Sequence, residues 1–207
     1  MTVARQHMLS HSLTYMFKDA DWFWKVSLGA LALCAIPAGI GYPFVVGYCV
    51  ETVRGCMSDE PALPEWTNPA RILKHGIRVG SALALYSLVA CLVLAAVSRH
   101  ADLLTVLTAV ILVHTFVGPF VMLRYLSDGS FRSCFDLRSA FAIVKSNGYR
   151  ATEITGLSFG VFLVVLCFGW MALIIGWPFF IFWGMLVSAS FTAMLASSRE
   201  LIEAPAP

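Results

Sequence analysis

The 45 residues from 154 to 198 carry no charged side chain, and that stretch alone excludes most water-soluble folds. A helix crossing the hydrocarbon of a bilayer needs roughly 20 mostly apolar residues, so the run is long enough for two crossings. Three further charge-free runs, at 26–48, 79–98 and 103–123, meet the same length. The chain as a whole is 59% hydrophobic and 13% charged, against about 25% charged in a soluble domain, and its mean hydropathy is +0.79. The expected fold class is therefore all-α, a polytopic transmembrane helical bundle forming one integral membrane domain over residues 1–207. Residues 1–21 contain no apolar core of the kind a secretory signal needs, so the first helix is expected to remain in the mature protein.

Breaks within the apolar runs set the topology. Pro37-Ala38-Gly39-Ile40-Gly41-Tyr42-Pro43 places two prolines and two glycines inside the first run, which argues against a straight helix and for a hairpin. Arg99-His100-Ala101-Asp102 reads as an exposed turn, and Gly176-Trp177-Pro178 as a third turn. Six membrane segments in three hairpins follow, at 22–57, 79–126 and 153–198. An N-terminal arm (1–21), interfacial segments at 58–78 and 127–152, and a tail (199–207) complete the chain. The charges agree with this arrangement. One side receives three basic residues from 1–25, four from 54–78, five from 124–150, and Arg199, while the other side holds Arg99 alone. Such a split is what the positive-inside rule asks of a bundle with both termini in the cytoplasm. Whether residues 43–54 make a full span or a half-span is open, since the segment is only 12 residues long.

The polar segments are expected to lie on the membrane surface. After Asp136, a plausible N-cap, Leu137, Ala140, Phe141 and Val144 share one helical face, with Arg138 and Lys145 opposite. A helix over 136–146 would lie in the interface. A second surface helix is expected over 68–75, with Asn68 as N-cap and Pro69 at the first helical position. Trp22, Trp24 and Trp66 are expected at the headgroup level, with Arg138 and Lys145 as further interfacial anchors. A Gly-Pro-Phe pattern recurs at 41–44, 118–120 and 176–179. The first and third copies read as hairpin tips, and the second, inside a helix, as a kink.

Candidate chemistry is sparse. The six cysteines form no C-x-x-C pair, and free cysteine in apolar runs behaves as a small hydrophobe. His114 is the one histidine inside an expected span. It is a candidate ligand for heme iron or for the magnesium of a chlorophyll, set against a histidine simply hydrogen-bonded to a neighbouring helix. Glu51 and Arg54 can pair at i, i+3 where their helix emerges. No Ser/His/Asp set, H-E-x-x-H or phosphate-binding glycine loop is present, so no enzyme is expected. The expected function is a non-catalytic structural or accessory subunit of a larger membrane complex, with the bilayer and other membrane subunits as partners and no nucleic acid. Two alternatives stand beside it: a carrier or channel for a small molecule, ion or lipid, and a cofactor-bearing subunit through His114.

Phe17-Lys18-Asp19-Ala20-Asp21-Trp22 before the first helix, Ile36-Pro37 to Gly47-Tyr48 within it, Leu63-Pro64-Glu65-Trp66 after it, and Gly129-Ser130-Phe131 to Phe135-Asp136 further on resemble the domain-of-unknown-function 4013 family. The second half is also distantly similar to the membrane domains fused to some glycerophosphodiester phosphodiesterases. The resemblance implies a multi-span protein of a bacterial or archaeal cytoplasmic membrane. It carries no activity and no functional residues, because the family has none assigned.

Overall fold

The computed structural model describes residues 13–58, 62–98, 102–136, 138, 148–169 and 173–203, and all their regular structure is helical. The elements are α1 (Trp22–Cys34), α2 (Gly41–Met57), α3 (Pro69–Val97), α4 (Leu103–Phe116), α5 (Gly118–Asp128), α6 (Gly148–Gly169) and α7 (Leu173–Glu203), with short 3₁₀ turns at Tyr15–Lys18, Ile36–Ala38 and Arg132–Phe135.

The first hairpin turns where the proline–glycine cluster falls. Pro37 sits in the 3₁₀ turn and Gly39 takes φ +79°, a left-handed conformation that glycine adopts without a Cβ clash. The turn holds itself through Gly39 N–H to Ile36 O at 2.8 Å and Gly41 N–H to Ala35 O at 3.2 Å. α2 then runs back into the centre of the molecule, where eleven of its 17 residues are buried. It packs against α1, α3 and α7. Glycines let the backbones meet: a Cβ on Gly47 would lie 1.9 Å from Ile72 O, and one on Gly76 would lie 1.6 Å from Pro43 O. On α1, Gly29 leaves the space into which the Phe182 ring of α7 inserts. Small residues at crossings serve this purpose in membrane bundles, where helix faces gain nothing by leaving lipid and must rely on close packing.

α3 starts at the expected cap, with Arg71 N–H donating to Asn68 Oδ1 at 3.1 Å and Pro69 in the first turn. It continues unbroken for 29 residues. Residues 68–75 are thus not a separate surface helix but the opening turns of one long helix, because nothing between Ile72 and Val79 breaks helical geometry. Asp102 caps α4 by accepting from Thr105 N–H at 2.8 Å. α4 and α5 meet at Val117–Gly118 with a 42° bend, where Pro119 cannot donate a backbone bond. The kink expected at Gly118-Pro119 is present.

The turn expected at Gly176-Trp177-Pro178 is not present. α7 begins at Leu173, and Pro178 is inside it, so Gly176-Trp177-Pro178 is not a hairpin tip. A proline near a helix start removes a single bond, which the long apolar segment tolerates.

Six full spans are not found among the described residues. Pro69–Val97 and Gly176–Ala196 are each long and apolar enough to cross a membrane, and the bent pair α4–α5 makes up to three. α1, at 13 residues, is short of a crossing, and α2 has 17. In α6 the described apolar part is Thr152–Val165. The far halves of α3 and α4 expose Leu88, Val89, Leu92, Val93, Val97, Leu103 and Leu104, a surface suited to lipid rather than water. Most of the helix expected at 136–146, including Lys145, lies outside the described residues, and Arg138 is exposed.

Candidate functional site

Three polar constellations interrupt the apolar interior. The first closes the end of the bundle where α1 begins. The arm before α1 is drawn into the core, burying Tyr15 and Met16. Asp19 then accepts three hydrogen bonds, from Asp21 N–H at 2.8 Å, Lys25 Nζ at 2.7 Å and Leu63 N–H at 2.8 Å. Lys25 also donates to Leu63 O at 3.1 Å and reaches Glu65. The Asp19 and Lys25 side chains are both only 5% exposed. Burial alone would raise the Asp19 carboxyl, but the hydrogen bond from Lys25, the two backbone N–H groups and the Lys25 charge together hold it below the ordinary carboxylate range. Beside this knot Trp66 stacks on Tyr48, with centroids 4.4 Å apart, and donates from Nε1 to Lys25 O at 3.2 Å. Tyr48 donates to Pro64 O at 2.8 Å.

Of the three expected tryptophan anchors, Trp24 is 65% exposed. Trp22 packs on Phe17 and Phe179, and Trp66 is half-buried in the knot. Spacing could not have disclosed Asp19 with Lys25, since the pair is six residues apart and completed by a loop 44 residues from Asp19.

The second constellation assembles at the same end from α2, α3 and α5. Glu51, only 4% exposed, pairs with Arg54 and also with Arg71 and His75, each at 3.2 Å. His75 Nδ1 lies 2.7 Å from the Tyr125 hydroxyl, and Arg78 donates to Gly129 O at 3.2 Å. The simple i, i+3 pair expected for Glu51 is therefore one edge of a network joining three helices. Arg54, Arg71, His75, Arg78, Tyr125 and Gly129 border a cleft of about 490 Å³ that also reaches Lys74.

The third is half-buried, beside the α4–α5 break. His114 Nδ1 is 2.9 Å from Val110 O, which can only accept, so that nitrogen carries the proton. Nε2 is 2.9 Å from the Tyr42 hydroxyl, from which it accepts. Tyr42 Oη is also 3.3 Å from Gly80 O. Ligation of a heme or chlorophyll by Nε2 would require the Tyr42 hydroxyl to turn away toward Gly80. The pair borders an apolar cavity of about 270 Å³ between α4, α5, α6 and α7, with Ser158, Ser188 and Thr192 on its wall. Among the described residues no group of three or more His, Cys, Asp or Glu side chains is placed to hold a metal ion.

A family model described as protein of unknown function (DUF4013) matches residues 30–176, well over half the chain. The chain belongs to the DUF4013 family. No curated protein and no solved structure matches it. The DUF4013 match takes in the Glu51 network, the Leu63–Trp66 loop and the Tyr42–His114 pair, whereas Asp19 and Lys25 precede it.

Proposed function

We propose that this DUF4013 protein is a non-catalytic subunit of a larger assembly in a bacterial or archaeal cytoplasmic membrane, with the Lys25, Glu51 and Arg78 end of the bundle and both termini in the cytoplasm. The observation that carries this reading is the half-length first hairpin. We take Glu51, held by Arg54 and Arg71, as the headgroup boundary, because a buried carboxylate paired with exposed arginines suits that level. From Glu51 back to Gly41, α2 rises about 15 Å at 1.5 Å per residue, which reaches about the middle of a hydrocarbon layer of about 30 Å. The turn at residues 36–40 is exposed there, with Ile40 62% accessible and Leu31 66% accessible beside it. Lipid cannot hydrogen-bond an irregular turn, so whatever polar backbone the turn leaves unsatisfied needs either protein or a water-filled passage around it. A partner subunit seated on the α1–α2 tip supplies the first.

Native electrophoresis of mildly solubilised membranes is expected to show a band much heavier than the 22.7 kDa chain. A photo-crosslinker at Ile40 is expected to capture a second polypeptide. A monomeric band with no crosslink refutes the reading.

The water-filled alternative is a carrier. It is favoured by the broken α4–α5 helix and by the cavity beside His114, since transport sites lie near the midplane among interrupted helices. Solute flux in vesicles of the purified protein, abolished by His114→Ala, would establish it.

A further inference from the structure

The cleft beneath Glu51 has more positive charge than its structural partners use. Arg54, Arg71, Lys74 and Arg78 border it, together with His75 and the Tyr125 hydroxyl, and among the described residues no carboxylate borders it. Glu51 sits behind the wall, and its two oxygens are taken up by Arg54, Arg71 and His75. Among the described residues, four cations against one buried carboxylate leave an excess of three positive charges.

Arg71, Lys74 and Arg78 are at i, i+3 and i+7 on α3, so they crowd one helical face, where like charges repel. Two of them are nonetheless fixed in place: Arg71 by Glu51, and Arg78 by Gly129 O with the Tyr125 hydroxyl 3.5 Å away. Lys74 is exposed, and among the described residues it has no hydrogen-bond or ion-pair partner. An arrangement of fixed guanidinium forks beside an exposed ammonium suits an anion with several acceptor oxygens. The cleft lies between helices at the end where the basic residues gather, the level of anionic headgroups.

We propose that this cleft is a binding site for a phosphate group, with Lys74, Arg71, Arg78 and Arg54 as its cationic ligands and the Tyr125 hydroxyl and His75 at its wall. The phosphate belongs either to an anionic phospholipid or to a soluble ester, and both present the same oxygens to the same cations. The site stands independently of the assembly reading, since it uses neither the α1–α2 tip nor the His114 cavity.

The test measures thermal stabilisation and apparent affinity of the full chain in neutral detergent. The probes are dioleoyl phosphatidic acid, dioleoyl phosphatidylcholine and inorganic phosphate. Phosphatidic acid is expected to stabilise and phosphatidylcholine is not. Lys74→Glu is expected to weaken phosphatidic acid binding by roughly tenfold or more, the scale of reversing one charge at a surface site. Its melting without lipid should match the parent, because Lys74 is exposed.

Lys18→Glu makes the same charge change at an exposed position outside the cleft and is expected to leave binding nearly unchanged. Competition by inorganic phosphate would point to a soluble phosphate compound, and its absence to a lipid headgroup. Equal weakening by Lys74→Glu and Lys18→Glu would mean a diffuse basic surface and overturn the proposal. Indifference to phosphatidic acid and phosphate alike would also overturn it.

Discussion

Replacing Asp19 by Asn keeps the size of the side chain and removes its charge, which strands Lys25 in a site where both side chains are 5% exposed. Breaking a buried ion pair from one side costs about 3–5 kcal/mol, because the remaining charge keeps its desolvation penalty and loses its compensation. Lys25 would retain the Leu63 carbonyl and the exposed Glu65 carboxylate, so the lower end, about 3 kcal/mol, is expected. For a chain of this length each kcal/mol moves the melting temperature by about 2–4 °C. Asp19→Asn should therefore melt about 6–12 °C below the parent.

The assay is thermal unfolding of purified protein in one detergent, read by loss of the monodisperse peak on size exclusion. Asp21→Asn is the control. That side chain is exposed and makes no cap hydrogen bond, so its effect should stay within about 0.5 kcal/mol. The pair Asp19→Asn with Lys25→Met should recover much of the loss, since it leaves no charge stranded and the Asn side chain keeps an oxygen for the Leu63 N–H. A shift below 2 °C for Asp19→Asn, on a scale of about 2–4 °C per kcal/mol, would refute the knot as a closure of the fold. So would a double variant as unstable as the single one.

The remaining expectations concern packing, acid and His114. Gly76→Ala places a methyl group 1.6 Å from Pro43 O and should cost at least the upper end of the about 1–3 kcal/mol of overpacking. Gly156→Ala, inside a helix with nothing within 4 Å, should stabilise by up to about 1 kcal/mol, and equal melting of the two would contradict the α2–α3 crossing. The depressed Asp19 carboxyl makes its contribution fully above its ordinary value of 3.8 and loses it as pH falls through the lower folded value. Asp19→Asn should accordingly flatten the acid limb of a stability profile below pH 3.8, and an unchanged limb would contradict this. Tyr42→Phe leaves His114 Nε2 without its donor and should cost about 1–3 kcal/mol. Visible absorption of the purified protein that disappears in His114→Ala would make His114 a cofactor ligand.

Much of the helical layout was readable because apolar length and proline–glycine breaks are local signals. The 36–41 turn, the Gly118–Pro119 bend and the Asn68–Pro69 start of α3 all fall where those signals stand. Local signals also misled. Gly176-Trp177-Pro178 reads as a turn, yet an apolar helix already under way from Leu173 absorbs the proline. Residues 68–75 read as a surface helix, yet they are the first turns of α3. The polar sites were less legible because they are closed by residues far apart in sequence: Asp19 by Leu63, His75 by Tyr125, Tyr42 by His114. No periodicity links such pairs. Glu51 was visible as half of a helical pair, but its partners on α3 were not.

The proposed membrane bundle has its basic end in the cytoplasm and a first hairpin that stops halfway across. Single cysteines at Ser127, Asp102 and Ile40, in a background lacking the native cysteines, test it through labelling of intact cells with a membrane-impermeant maleimide, followed by labelling after permeabilisation. Ser127 and Asp102 are exposed at opposite ends of the α4–α5 pair. Asp102→Cys should label from outside, Ser127→Cys only after permeabilisation, and Ile40→Cys under neither condition. Labelling of Ser127→Cys in intact cells would contradict the orientation, and labelling of Ile40→Cys from outside would show that the first hairpin crosses the bilayer.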